Sequence, residues 1–157
     1  MNNPASNEKM IGLLVFSLDQ FLYVLPLSFV QRVFRAAEIT PLPGAPEVIL
    51  GVLNIHGEIA PVFNLRKRFG LKDKDIELSD QMIFVKTANR KAVLICDQTL
   101  SLIERPEQEI LEAADIVLQV KYLEGVIKLP DGLVLIHNPD HFLFHEEEQT
   151  LDALLEQ

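Results

Sequence analysis

The stretch "GVLNIHGEIAPVFNL", residues 51–65, consists of two apolar runs that meet at His56-Gly57. Short runs rich in Val, Ile, Leu and Phe and bounded by turn residues predict β-strands. A two-residue hairpin turn often needs positive φ, which glycine adopts freely and histidine tolerates better than most residues. Pro61 lacks a backbone donor, so its strand is expected to be an edge strand or to carry a bulge. The stretch therefore predicts a β-hairpin with a partly unpaired edge, where another polypeptide can dock.

Similar apolar runs occur along most of the chain. Turn-forming residues at 19–20, 89–90 and 130–132 fall between runs, as hairpin connections should. Helical signals are fewer and shorter. The ten predicted strands are 11–18, 21–27, 29–35, 50–55, 58–63, 82–88, 91–96, 99–104, 122–128 and 133–137, and the predicted helical segments are 64–71, 105–114, 137–144 and 150–157. Ten short strands with few helices predict an all-β fold, a small barrel or sandwich.

The charged segment "GLKDKDIELSD" (70–80) is the best candidate for a boundary, since five predicted strands precede it and five follow. We therefore expect lobe one over about 10–70 and lobe two over about 80–137, although no internal repeat is visible at the level of residues. The flanking predictions are a flexible N-terminus at 1–9, a closing helix at 138–144, and an acidic helical tail at 146–157. This tail either docks or frays. The folded domain as a whole would then cover residues 10–145.

The 157-residue chain carries a net charge of −9 at pH 7, which opposes binding to nucleic acid or to an anionic membrane. The basic cluster formed by Arg66-Lys67-Arg68 with Lys72 and Lys74 is predicted to be a solvated helix face. Residues 10–30 look like a signal or membrane segment at first sight. Asp19-Gln20 divides them into runs too short to span a bilayer, and no basic leader precedes them. The expected partners are proteins or a small ligand.

Motifs for catalysis or metal binding are weak. Neither a phosphate-binding glycine loop nor a G-x-S-x-G nucleophile motif occurs. Cys96 is the only cysteine and is predicted to be a small buried hydrophobe in a reducing compartment. His137, His141 and His145 are spaced by four, but Pro139 starts a helix after His137, so at most two imidazoles align. We therefore predict no catalytic site, cofactor or metal, with a small metal- or ligand-binding enzyme as a remote alternative.

Four segments carry a resemblance to a known family: "LLVFSLDQFLYVLPL" (13–27), "VQRVFRAAEITPLPGAPEVILGVLNIHGEIAPVFNLRKRFG" (30–70), "AVLICDQTLSLIE" (92–104) and "YLEGVIKLPDGLVLIHNPDHFL" (122–143). The second contains a pattern close to G-V-x-N-x-R-G-x-x-x-P-V-x-D-L. In this order, the segments resemble the CheW family of coupling proteins from bacterial chemosensory arrays. The resemblance runs from about Ile11 to Phe144.

The resemblance implies two five-stranded SH3-like barrels packed together and a function without catalysis. Members of the family join the cytoplasmic tip of a methyl-accepting chemoreceptor to the regulatory domain of a histidine kinase. The chain is thus expected to be a cytoplasmic adaptor that is recruited to membrane receptor arrays without inserting into the bilayer. An alternative is a related adaptor, or one from a non-flagellar pathway, that competes for kinase or receptor and dampens signalling.

The resemblance implies that two sets of residues in this chain contact partner proteins. The predicted receptor-binding residues are Val30, Arg32, Val33, Ile55, His56 and Gly57, and the predicted kinase-binding residues are Gly51 and Val52. A purely structural explanation exists for most of them, because apolar β-branched residues usually face a core and glycines often serve turns or bulges.

Four positions depart from the family pattern. His56 stands where the family has arginine, and Arg32 where members often have glutamate; Asn64 and Gln98 replace an aspartate and a glycine. A guanidinium can bind a carboxylate through two hydrogen bonds, which an imidazole cannot. We therefore hypothesise that the changes at 32 and 56 alter receptor specificity. The alternative is that both positions are exposed and vary freely.

Overall fold

The computed structural model describes residues 8–115 and 126–156. The ten strands are β1 Met10–Leu18, β2 Phe21–Pro26, β3 Val30–Arg35, β4 Ile49–Ile55, β5 Glu58–Phe63, β6 Gln81–Lys86, β7 Lys91–Cys96, β8 Gln98–Pro106, β9 Val126–Lys128 and β10 Val134–Ile136. The α-helices are α1 Leu65–Phe69, α2 Glu107–Asp115 and α3 His145–Leu155. All ten predicted strands are therefore present, and the all-β prediction is confirmed. The predicted start of the ninth strand, residues 122–125, lies outside the described residues.

The strands form two five-stranded sheets, each curled as an SH3-like barrel. The first barrel has the order β8-β1-β2-β10-β9, and the second has the order β3-β6-β7-β5-β4. Both contain the same succession of neighbours: two antiparallel pairs, one parallel pair (β2–β10 or β7–β5) and one antiparallel pair. Strands β8, β9, β10, β1 and β2 thus take the places of β3, β4, β5, β6 and β7. The first barrel is a circular permutation of the second.

The predicted division into lobes at 10–70 and 80–137 is wrong. The first barrel is built from both ends of the chain, because β1 pairs with β8 as well as with β2. The charged segment 70–80 connects strands of one and the same barrel rather than separating two lobes. The permutation also explains why no sequential repeat is visible: equivalent strands occur in a different order along the chain.

Three apolar cores hold the fold together. One fills the first barrel around Leu13, Val24 and Leu135. A second fills the other barrel around Met82 and Val93. The largest joins residues of both sheets and is therefore the interface between the barrels; among its members are Leu14, Phe16, Ile83, Cys96 and Phe142. Cys96 is buried as predicted, and burial raises the pKa of its thiol to about 12.

The β4–β5 hairpin turns at His56-Gly57, where the φ angles are 52° and 86°. The Gly57 amide donates to Asn54 Oδ1 at 2.8 Å, which fixes the turn. Pro61 does not mark an edge strand, because β5 lies between β7 and β4. Its missing donor is tolerated because the parallel pairing with β7 begins only at Val62. The hairpin does carry a bulge, located on β4 between Ile49 and Gly51, and β4 is the edge.

The predicted helical segments are helical in the structure, but their first and last residues differ from the prediction. Helix α1 is capped by Asn64, whose Oδ1 accepts from the Lys67 amide, and it ends at Gly70 in the left-handed region. Helix α2 begins at Glu107 because β8 continues to Pro106. The predicted closing helix at 138–144 is a single 3-10 turn over Pro139–Phe142.

The acidic tail docks as α3. The helix begins at His145 rather than at Thr150, because Glu147 accepts a hydrogen bond from the Phe144 amide at 2.8 Å and closes the first turn. Leu151 is 0% exposed and belongs to the interface between the barrels. None of the helices within 8–115 and 126–156 is long and apolar enough to span a membrane.

Candidate functional site

Strands β3 and β4 are the two edges of the second barrel's sheet, and a side-chain contact links β3 to the tip of the β4–β5 hairpin. Arg32 Nη1 on β3 lies 2.8 Å from His56 Nε2 at the hairpin tip. Since a guanidinium can only donate, His56 Nε2 is the acceptor in this contact. The Arg32 guanidinium also lies over the Phe34 ring, 5.8 Å from its centroid. This pair, which is exposed to solvent, is called the second-barrel seam below.

The structure brings the six predicted receptor-binding residues to β3 and the β4–β5 tip. Val30 and Val33 are half-buried and pack against the core between the barrels, whereas Ile55 packs into the second barrel. Gly57 is exposed in the turn. The residues therefore form two adjoining surfaces: an apolar one that faces the first barrel and a polar one at the seam.

The two predicted kinase-binding residues lie further along β4. Gly51 is buried, and a Cβ there would lie 2.3 Å from the Thr40 carbonyl oxygen, so close packing of the 39–40 segment explains this glycine. Val52 exchanges backbone hydrogen bonds of 2.8 and 3.0 Å with Thr40. The backbone edge of β4 is thus occupied at Val52. A partner has access here only to side chains.

Two exposed leucines lie against strand β1, and sequence reasoning missed both. Leu102 on β8 is 65% exposed and lies directly across from the core residue Leu14, so the two side chains share one face of the sheet. Leu27 is 37% exposed and covers Gly12, where a Cβ would lie 2.8 Å from Leu27 Cδ1.

The basic cluster at 66–68 is not a solvated helix face, contrary to the prediction. Arg66 is only 8% exposed, and it donates to Asp19 Oδ1 at 2.7 Å and to Asp97 Oδ1 at 2.6 Å. Arg68 is half-buried and donates to Glu147 at the start of α3, at 2.5 Å. The three lysines of the predicted cluster, Lys67, Lys72 and Lys74, are exposed as expected.

Arg66 links the two barrels. Asp19 lies in the β1–β2 turn of the first barrel, while Asp97 separates β7 of the second barrel from β8 of the first. Burial alone would raise the pKa of Asp97, but the hydrogen bonds from Arg66 and from the Asp19 amide outweigh burial, and the pKa is lowered. These contacts pair Arg66 with Asp19 and Asp97, and we infer that the three residues stabilise the packing of the two barrels.

Glu58, beside the tip, is held by Lys91 Nζ at 2.6 Å, which anchors the hairpin to β7. Across residues 8–115 and 126–156, no three His, Cys, Asp or Glu residues are grouped as metal ligands, and this includes His137, His141 and His145.

Comparison with known proteins agrees with this architecture. The model of the CheW-like domain family matches residues 12–147. The chain is 24% identical over 150 residues to the chemotaxis protein CheW of Treponema pallidum (strain Nichols), covering 92% of this chain and 88% of that protein. It is 27% identical over 147 residues to the chemotaxis protein CheW of Bacillus subtilis (strain 168), covering 92% of each.

A solved structure shows the same fold. The crystal structure of scaffolding protein TtCheW from Thermoanaerobacter tengcongensis superposes with a TM-score of 0.71 at 31% identity, covering 87% of this chain and 94% of that one. Sequence pattern, barrel topology and these matches all agree. The chain belongs to the family of CheW-like domain proteins.

Proposed function

We propose that this chain joins the cytoplasmic tip of a chemoreceptor to the regulatory domain of a histidine kinase. The observation that carries the proposal is the family match over residues 12–147, together with the shared two-barrel fold. The chain is a non-catalytic coupling adaptor of chemotaxis. The named partners and recruitment from the cytoplasm to membrane receptor arrays are inferred from the family. The departures at Arg32 and His56 make it a member with altered receptor specificity.

We place the receptor surface on the second-barrel seam and on nearby apolar side chains. Arg32 and His56 supply polar contacts, while Val33, Leu27 and Leu102 supply apolar area. An exposed apolar patch with a polar rim is typical of a protein docking site. An amphipathic segment of the receptor would bury the leucines and place its polar side chains against the seam.

The kinase surface lies on the outer face of the β4–β5 hairpin. Val52 pairs with Pro61, and Ile59 lies two residues from Pro61, so Val52 and Ile59 point to the same face. Ile59 is 53% exposed. Since Thr40 occupies the backbone edge at Val52, we expect the kinase to contact these side chains rather than to add a strand.

The test is reconstitution of kinase, receptor-bearing membranes and this chain, all from the same genome. A coupler co-sediments with the membranes and raises kinase autophosphorylation. A competing adaptor lowers it. Replacing Ile59 with Glu should reduce kinase recruitment while the variant still sediments with membranes. The matched control is Ile76→Glu, which puts the same charge on another exposed isoleucine, outside the hairpin. Equal loss in both variants would argue against the proposed kinase surface.

A further inference from the structure

Because the two barrels have equivalent strands, the contact between the edge strand and the hairpin tip can be compared between them. In each barrel, an arginine on the first edge strand reaches the hairpin tip of the opposite edge. Arg105 on β8 donates to Asp131 Oδ2 in the β9–β10 turn. Arg32 on β3 donates to His56 in the β4–β5 turn. The elements are equivalent in topology, but the partners differ: the first seam is neutralised by a carboxylate, and the second is not.

This difference extends to all six arginines of the chain. Within the described residues, Arg66, Arg68, Arg90 and Arg105 each form an ion pair with a carboxylate. In this same part of the chain no carboxylate pairs with Arg32 or Arg35, and both lie on β3. The protein contains 23 Asp and Glu residues, so acceptors are abundant. The uncompensated charge is thus a local property of β3.

Arg32 differs from Arg35 because its guanidinium is held in position. One N–H group donates to His56, and the Phe34 ring supports the planar group. The contacts of Arg32 within 8–115 and 126–156 leave Nε and Nη2 available, and these groups are arranged for two parallel hydrogen bonds to a carboxylate. An ordered guanidinium loses less conformational entropy on binding than a mobile one.

We propose that Arg32 is a preformed carboxylate-binding group at the second-barrel seam, and that His56 is its positioning residue. The partner segment that docks there carries an Asp or Glu side chain opposite Arg32. This inference rests on the proposed function, since the partner is taken to be the receptor tip. It adds that the receptor must present a carboxylate side chain at this site.

The test uses the full chain and soluble cytoplasmic fragments of the chemoreceptors encoded in the same genome. Arg32→Glu should weaken binding about ten-fold or more, because a charge-assisted bidentate contact is replaced by repulsion. Arg32→Lys keeps the charge but loses the planar fork, and should give a smaller loss. Lys72→Glu is the net-charge control, since Lys72 is exposed and lies away from the seam; its binding should stay within about two-fold. Melting curves verify that each variant folds.

Charge reversal in the partner supplies the decisive result. One acidic residue of the fragment, changed to Lys, should restore binding to the Arg32→Glu chain. The inference is overturned, with the proposed function intact, if the wild-type chain binds while Arg32→Glu binds as well, or if Arg32→Glu and Lys72→Glu lose the same affinity. A wild-type chain that binds none of the fragments refutes the proposed receptor contact, and this inference with it.

Discussion

Replacement of Arg66 by methionine should destabilise the protein strongly at neutral pH. The Arg66 side chain is 10% exposed and bonds to two carboxylates, Asp19 and Asp97. Removing one partner of a buried ion pair costs about 3–5 kcal/mol, because uncompensated charge remains. The carboxylates are 42% and 27% exposed, so water recovers part of this cost. We expect the free energy of unfolding to fall by about 2–4 kcal/mol.

The loss of stability in the Arg66→Met variant should be larger at neutral pH than at acidic pH. The pKa of Asp97 is lowered in the folded protein, so the Arg66 contact stabilises the fold above the unfolded pKa of about 3.9. This stabilisation is lost as pH falls through the folded pKa. On acidification the Asp97 carboxylate of the Arg66→Met variant also becomes neutral, and its unpaired charge is lost. The difference between wild type and variant should therefore shrink on acidification.

Urea unfolding, followed by circular dichroism at a series of pH values, measures this difference. Lys67→Met is the matched control, because Lys67 makes only long contacts of 3.6 and 3.7 Å to exposed carboxylates; it should cost less than about 0.5 kcal/mol. A loss below about 1 kcal/mol for Arg66→Met at pH 7, or a difference that does not change with pH, would refute the assignment of Arg66 as the ionic link between the barrels.

Three further changes test other parts of the structure. Gly51→Ala should destabilise by about 2–4 kcal/mol, because its Cβ would lie 2.3 Å from the Thr40 oxygen; a melting temperature equal to wild type would contradict this. Leu151→Ala should lower the unfolding free energy by about 2–5 kcal/mol, since the side chain is fully buried; denaturation insensitive to the change would mean that α3 does not dock. The double change Arg32→Glu with His56→Arg should increase affinity for a conventional receptor tip in a pull-down, and unchanged affinity would favour free variation at both sites.

Local sequence rules worked well wherever the determining contacts are close in the chain. Apolar runs bounded by turn residues located the strands, and the His56-Gly57 hairpin adopts the predicted backbone. The end of α1 at Gly70 was also predicted, because a helix terminus is decided by side chains within a few residues. The same rules do not reveal which strand pairs with which.

The partners of the charged side chains could not be predicted from local sequence rules. Arg66 lies in a run of basic residues that looks like a solvated face, yet Asp19 and Asp97, its partners, are 47 and 31 residues away. The contact between Arg32 and His56 spans 24 residues and exists only because the barrel brings β3 beside the β4–β5 tip. A family resemblance indicated that both positions are unusual. The structure alone showed that they touch.

The sequence by itself determined the ten strands, their turns, the all-β class and, through the order of its motifs, the family. Tertiary structure decided how the strands are shared between barrels, the docking of the acidic tail, and which arginines keep a charge without an acidic partner. The physical reason is the range of the interactions. Turn geometry, capping and alternation act over a few residues, whereas sheet closure and ion pairing depend on residues that meet only when distant segments pack together.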